Sequence, residues 1–161
     1  MADPQVNFFK SLLMKYLTVL LVLIPICVIH AQQKGDNAIY IKTQQQPEQA
    51  LGSITQILYT QEFAIDTLHS VMLSLETKPK KIVRWLKVFN LSVSVSIMYD
   101  DRIKLEGKWL EASVFGGEQG RNMRPLTYNQ KGLEAKVWSE FEKIATTYVN
   151  QNSGKIIYNR D

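Results

Sequence analysis

The chain has 161 residues, of which 45% are hydrophobic and 21% charged. This composition fits one globular domain and excludes a disordered tail, because it supplies enough apolar side chains to form a core. The single cysteine and the two histidines exclude an internal disulfide framework, a multi-cysteine zinc site and a three-histidine metal centre. The formal net charge of +4 is too small to indicate a nucleic-acid-binding protein.

The N-terminus has the pattern of a secretory signal peptide. Lys10 and Lys15 precede an uncharged apolar run over 16–29, and the chain becomes polar directly after Ala31. A basic segment, an apolar segment and a small residue before a polar switch are the three parts of such a peptide. The sequence therefore predicts a signal peptide over 1–31, cleaved after Ala31, and a protein that is periplasmic, associated with the outer membrane or secreted.

Three alternatives concern this same segment. Met14 is an alternative start, because the chain from this residue onward has every part of a signal peptide. A retained membrane anchor is disfavoured, since a spanning helix needs roughly 20 apolar residues and Pro25 interrupts the run. Lipid attachment at Cys27 is also disfavoured, because Ile26 stands where that processing needs a small residue.

Residues 32–161 are predicted to form a single α+β domain. Residues 38–41 read as a short strand, and Pro47 is well placed as the first residue of a helix over 47–60. Apolar residues follow helical spacing along one face of that helix; they are Ala50, Leu51, Ile54, Ile57 and Leu58.

After residue 60 the apolar period changes from that of a helix to that of a strand. Alternating apolar residues predict two strands on either side of a turn at Asp66–His69, followed by a polar connection at Lys78–Lys81. Apolar residues then occupy odd positions opposite a series of serines, which predicts a hairpin over 85–114 that turns at Asp100–Asp101.

The C-terminal part contains the longest irregular stretch and the longest helix. Residues 115–130 contain three glycines and a proline and predict a loop. An amphipathic helix is expected over about 131–150, with a last strand at 156–158. The complete order predicts an antiparallel sheet covered on one face by the two helices, and Trp85, Trp109, Phe141 and Ile144 are expected to lie between the sheet and the helices.

A resemblance to known domains is carried by the run from Pro47 through EFAIDTLHSVMLSLETKPKK to the RIKLEGKW strand. This run resembles small secreted Bacteroidetes domains with a TATA-binding-protein-like or helix-grip topology. It is similar in layout to the repeated domains of the outer-membrane assembly lipoprotein BamC. The resemblance spans about 38–158 and implies families that are largely non-enzymatic or uncharacterised, so it assigns no catalytic residue.

Catalytic interpretations are weaker than structural ones at each candidate position. His69 next to Asp66 has the composition of a general base and its orienting carboxylate, but the two lie at a predicted turn, where polar residues are common. Asp100 and Asp101 are adjacent in sequence, so a turn is favoured over a carboxylate pair that acts together. We therefore predict no catalytic residue, no metal site and no cofactor.

Cations and aromatic residues in two segments predict a binding surface. The first segment contributes Lys78, Lys80, Lys81, Arg84, Trp85 and Lys87, and the loop contributes Arg121, Arg124 and Tyr128. In an exported protein this combination favours an anionic partner or an anionic envelope surface. Thr67, in Asp66-Thr67-Leu68, also resembles an O-glycosylation site of Bacteroidetes.

Three functions remain open from the sequence. The first is a non-catalytic envelope protein that binds a protein partner or an envelope component. The second is a carrier of an apolar, lipid-like ligand in a cavity under the C-terminal helix. The third is a hydrolase that uses His69. The sequence identifies neither the partner nor the oligomeric state.

Overall fold

The structure is a computed structural model, and it describes residues 32–84, 87–112 and 122–159. Its strands are β1 (Ala38–Thr43), β2 (Ile65–His69), β3 (Ser74–Thr77), β4 (Lys80–Arg84), β5 (Lys87–Ile97), β6 (Arg102–Ala112), β7 (Arg124–Pro125) and β8 (Gly154–Asn159). Its helices are α1 (Pro47–Thr60) and α2 (Gly132–Asn152). The predicted signal peptide and its cleavage position lie outside the described residues.

The strands form one antiparallel sheet in the order β2-β3-β5-β6-β1-β8. The long hairpin of β5 and β6 is its centre. The half of the hairpin next to its turn pairs with β3 on one side and β1 on the other. The half farther from the turn pairs with β4 and β7. The α+β class, an antiparallel sheet with two helices packed on it, is confirmed.

Both helices pack on one face of this sheet. Helix α1 begins at Pro47, whose missing N–H costs nothing at a helix start, and it buries the five predicted apolar residues. Helix α2 buries Val137, Trp138, Phe141, Ile144, Ala145 and Tyr148. These side chains meet the odd-numbered residues of β5 and β6, such as Leu91, Val93 and Leu105. Trp109, Phe141 and Ile144 are buried as predicted, and Trp85 lies outside the described residues.

The predicted turn at Asp66–His69 is wrong, because these residues belong to strand β2. Leu68 pairs with Leu75 and His69 with Ser74, so the turn follows at 70–73. Leu73 has a φ of 49°, and this left-handed conformation lets the chain reverse without glycine. Polar residues are tolerated in β2 because it is an edge strand.

The predicted polar connection at Lys78–Lys81 is also wrong in part, because Lys80 and Lys81 begin strand β4. Ile82 pairs with Phe89 and packs against the core. The lysines are compatible with a strand because β4 pairs on one side with β5, and charged side chains are common on such edges.

Candidate functional site

The face of the sheet opposite the helices carries a polar and predominantly basic surface. In β5 the alternation that buries Val93 and Val95 directs Ser92, Ser94 and Ser96 to this opposite face. Neither helix packs there, because the core residues that contact the helices have the other parity. We call it the uncovered face. It consists of the strand residues whose side chains lie on the same side of the sheet as these serines, as the pairing of the strands shows.

Cations outnumber carboxylates on the uncovered face. Its cationic side chains are Lys42, Lys81, Arg102, Lys104, Lys108 and Lys155, and its carboxylates are Glu76 and Glu106. Four of these lysines are exposed, at positions 42, 81, 108 and 155. Five strands, β1, β4, β5, β6 and β8, hold the cations and serines at fixed spacings, so the charge belongs to a rigid surface.

Two of the cations lie over the ring of Tyr40, near the centre of β1. Its side chain is only 5% exposed. The guanidinium carbon of Arg102 lies 5.1 Å from the centre of the ring, and Nζ of Lys104 lies 5.9 Å from it. Lys104 also pairs with Glu106 at 3.4 Å. The ring is therefore covered by cations, which is a favourable arrangement for an aromatic face.

Arg102 also holds a carboxylate at the end of the hairpin. Its Nε donates a hydrogen bond to Asp100 at 2.6 Å, and this bond lowers the pKa of the Asp100 carboxyl. Asp101, the next residue, has a φ of 59° in the same turn. The two aspartates therefore form the turn that the sequence predicts, and an arginine neutralises one of them.

The predicted basic segment is divided between the two faces. Lys80 lies on the helix side, where Nζ is 5.1 Å from the centre of the Phe63 ring and 3.5 Å from Glu62. Lys81 is exposed on the uncovered face. Lys80 therefore packs over the edge of the core, whereas Lys81 is available to a partner.

The other residues of that segment have diverse positions. Lys78 is exposed between β3 and β4, and Lys87 pairs with Glu111 at 3.5 Å. Arg84 ends β4, and Trp85 is outside the described residues. The segment therefore does not form one continuous cluster of cations around a tryptophan in the part of the chain that the structure describes.

The two described loop residues pack against tryptophans. Arg124 lies over the ring of Trp109, 4.2 Å from its centre. Tyr128 is half-buried and makes an edge-to-face contact with Trp138 at 5.6 Å. Arg121 is outside the described residues. Lys80 and Arg124 occupy the same row across β4, β5, β6 and β7, at the end of the sheet remote from the hairpin turn.

The candidate catalytic residues lie at the surface. His69 and Asp66 are exposed on edge strand β2. Thr67, the predicted glycosylation position, is half-buried in the same strand, so its placement at a turn is wrong. Among the residues with a described position, no group of three or more histidine, cysteine and acidic side chains could hold a metal ion. Over the same residues, no helix has the length and apolar character needed to cross a bilayer.

Two grooves of about 440 and 480 Å³ lie on the outer side of the helices. The first lies between the end of α1 and α2, and its lining includes Gln61, Glu62, Lys80 and Lys143. The second lies beside the first half of α2, and its lining includes Lys131 and Lys136. Both are open to solvent, unlike the enclosed space that a lipid-like ligand needs.

The uncovered face was missed in the sequence because its members are distant along the chain. The signal was present locally: serines alternate with valines in β5, and charged residues alternate with apolar ones in RIKLEGKW. Lys42 and Lys155 join this surface only through pairing of β1 with β6 and β8. No protein-family model matches the chain, and no curated protein matches it.

Proposed function

We propose that this protein is an exported, non-catalytic protein of the cell envelope that binds an anionic envelope component or an acidic protein partner through its uncovered face. The observation that carries the proposal is the excess of cations over carboxylates on the face of the sheet on which neither helix packs. Such a surface attracts anionic partners at long range and orients them at contact.

The packing of the core favours this function over transport of an apolar ligand. A helix-grip carrier needs a cavity between its long helix and the sheet. Here Trp138, Phe141 and Tyr148 of α2 are at most 1% exposed, and so is Trp109 of β6 below them. These large side chains occupy the space in which a lipid-like ligand would be held.

Charge reversal on the uncovered face tests the proposal. Lys42, Lys108 and Lys155 are exposed on this face. Changing all three to glutamate therefore reverses charge at the surface and leaves the packing of the core intact. Co-sedimentation with washed envelope membranes from the producing cells is measured at low and at high salt. We expect the wild type to bind at low salt and to dissociate as salt screens the charges, and the variant to lose most binding.

A matched variant separates surface from net charge. Lys131, Lys136 and Lys143 are exposed on α2 or directly before it, on the other side of the molecule. Changing all three to glutamate alters the net charge by the same amount, and we expect this variant to bind as the wild type does. Equal losses in both variants, or no loss in the first, would contradict the assignment of the uncovered face.

A further inference from the structure

Exposed apolar side chains are concentrated at one end of the sheet. The large hydrophobic residues exposed within the described part of the chain are Tyr59, Leu68, Val71, Met72, Val83 and Tyr99. Val71 and Met72 are 96% and 74% exposed in the turn between β2 and β3, and Tyr99 is fully exposed in the turn between β5 and β6. We call Val71, Met72 and Tyr99 the apolar tip.

The two turns of the apolar tip are neighbours. Strand β3 pairs with β5, with Ser74 opposite Ser96. One residue closer to the turns, the N–H of Ile97 donates a hydrogen bond to the carbonyl oxygen of Leu73 at 2.9 Å. The exposed residues therefore project from the same end of the sheet, on two backbone segments that the ladder holds together.

Folding requirements do not account for the residues in the first turn. Turns usually contain glycine, asparagine, aspartate, serine or proline, because these residues adopt the needed dihedral angles or bond to the backbone. Here Val71 and Met72 are exposed, and Leu73 adopts a left-handed φ of 49° that glycine would adopt at lower cost. Apolar side chains at exposed turn positions are typical of a surface that contacts another apolar phase or molecule.

Cations lie directly behind the apolar tip on the uncovered face. Arg102 follows the β5–β6 turn, Lys42 is its partner in β1, and Lys155 is the partner of Lys42 in β8. The same end also contains two carboxylates: Asp100 is bonded to Arg102, and Asp101 is exposed. Apolar residues in front and cations behind match the two layers of an anionic bilayer surface, with acyl chains below charged headgroups.

The size of the tip favours lipid over a protein. A stable protein interface buries roughly 800 Å² on each partner. Three side chains offer about 500 Å² in total, given that a tyrosine contributes about 150–250 Å². A bilayer requires no matching surface, since short apolar protrusions partition into its interfacial region.

We propose that the apolar tip inserts into the interfacial region of a bilayer that contains anionic phospholipid, while Lys42, Arg102 and Lys155 contact the headgroups. This inference rests on the proposed function and specifies its partner: the anionic envelope component is the phospholipid surface. The sheet would then contact the membrane by its turn end, with the uncovered face inclined towards the headgroups.

A spin label on the tip measures its depth directly. Met72→Cys in a Cys27→Ser background gives one labelling site, and Gln56→Cys, exposed on α1, gives the control site. The full chain, as cells deliver it, is mixed with phosphatidylcholine vesicles that contain or lack phosphatidylglycerol. We expect the label at position 72 to become accessible to oxygen and protected from a water-soluble relaxation agent only in the anionic vesicles, while the label at position 56 stays aqueous.

A pair of variants tests whether the tip supplies affinity. Val71→Ser, Met72→Ser, Tyr99→Ser should reduce partitioning into anionic vesicles by about tenfold or more, because three apolar side chains lose their transfer free energy. Tyr59→Ser removes an exposed apolar side chain from α1 and should leave partitioning unchanged. Because all these residues are exposed, both variants should unfold at the midpoint of the wild type.

The outcomes separate this inference from the proposed function. If the label at position 72 stays accessible to water on anionic vesicles, the apolar tip does not insert. This conclusion holds whether or not the N-terminal segment anchors the chain. A tip variant that converts a dimer to a monomer in sedimentation, with no vesicle binding by the wild type, shows a contact between copies instead. If the reversed uncovered face still binds envelope membranes, the proposed function fails as well; if only the tip experiments fail, it stands with a different partner.

Discussion

The two faces of the sheet differ in what their side chains do, although the same strands supply both. On the helix side of β5, Leu91, Val93 and Val95 are at most 1% exposed. On the uncovered face, Ser92, Ser94 and Ser96 alternate with them and are half-buried. Core packing therefore constrains the side chains of one face, whereas those of the other face can serve binding. Substitutions on the two faces should separate stability from binding.

The largest expected effect lies on the helix side. Phe141 is fully buried between α2 and the sheet, so Phe141→Ala removes most of a large side chain and leaves a cavity. We expect the free energy of unfolding to fall by roughly 3–5 kcal/mol in urea denaturation. Ser94→Ala on the opposite face should change it by less than about 0.5 kcal/mol. A loss below about 1 kcal/mol for Phe141→Ala would mean that this ring is not part of the core.

Two glycines, Gly107 and Gly52, differ in the space that is open to an added Cβ atom. A Cβ atom on Gly107 in β6 would lie 2.9 Å from Cδ2 and 3.1 Å from Cβ of the fully buried Leu126. Gly107→Ala should therefore cost about 1–3 kcal/mol through overpacking. Gly52→Ala in α1 meets no atom within 4 Å and should stabilise the helix by about 0.5–1 kcal/mol. In thermal unfolding, the midpoint should fall for Gly107→Ala and rise for Gly52→Ala. Equal shifts would contradict the close contact between Gly107 and Leu126.

Local patterns explain why much of the fold was predictable. The apolar spacing of α1 and Pro47 at its start place this helix at 47–60, and alternation places the β5–β6 hairpin. Strands β2 and β4 were harder, because polar and charged residues at edges resemble turns and connections. Lys80 and Tyr128 were expected to face a partner, but their contacts with Phe63 and Trp138 depend on tertiary packing.

The smallest effect concerns pH at the edge where α2 meets β8. Burial, followed by a hydrogen bond to the carboxylate of Glu142, raises the pKa of the Tyr158 hydroxyl. A raised pKa in the folded state favours folding below the unfolded pKa of about 10, and this contribution is lost as the pH rises through the folded pKa. We expect the unfolding free energy to fall less steeply above pH ~10 in Tyr158→Phe than in the wild type.

An exposed tyrosine gives the control for that measurement. Tyr59→Phe removes a hydroxyl from a ring that is 60% exposed on α1. Its alkaline unfolding curve should follow that of the wild type in denaturant titrations at stepped pH. If Tyr158→Phe also follows the wild type, the contact with Glu142 does not affect the ionisation of Tyr158 in solution.

Photo-crosslinking in cells tests most directly whether the uncovered face is the binding surface. A photoreactive phenylalanine analogue replaces Ser94 at the centre of this face or, in a second strain, Gln56 on the outer side of α1. We expect adducts with an envelope component from position 94 only, and their loss when Lys42, Lys108 and Lys155 are changed to glutamate. Adducts from position 56 and none from position 94 would contradict the account and place the binding surface on the helix side.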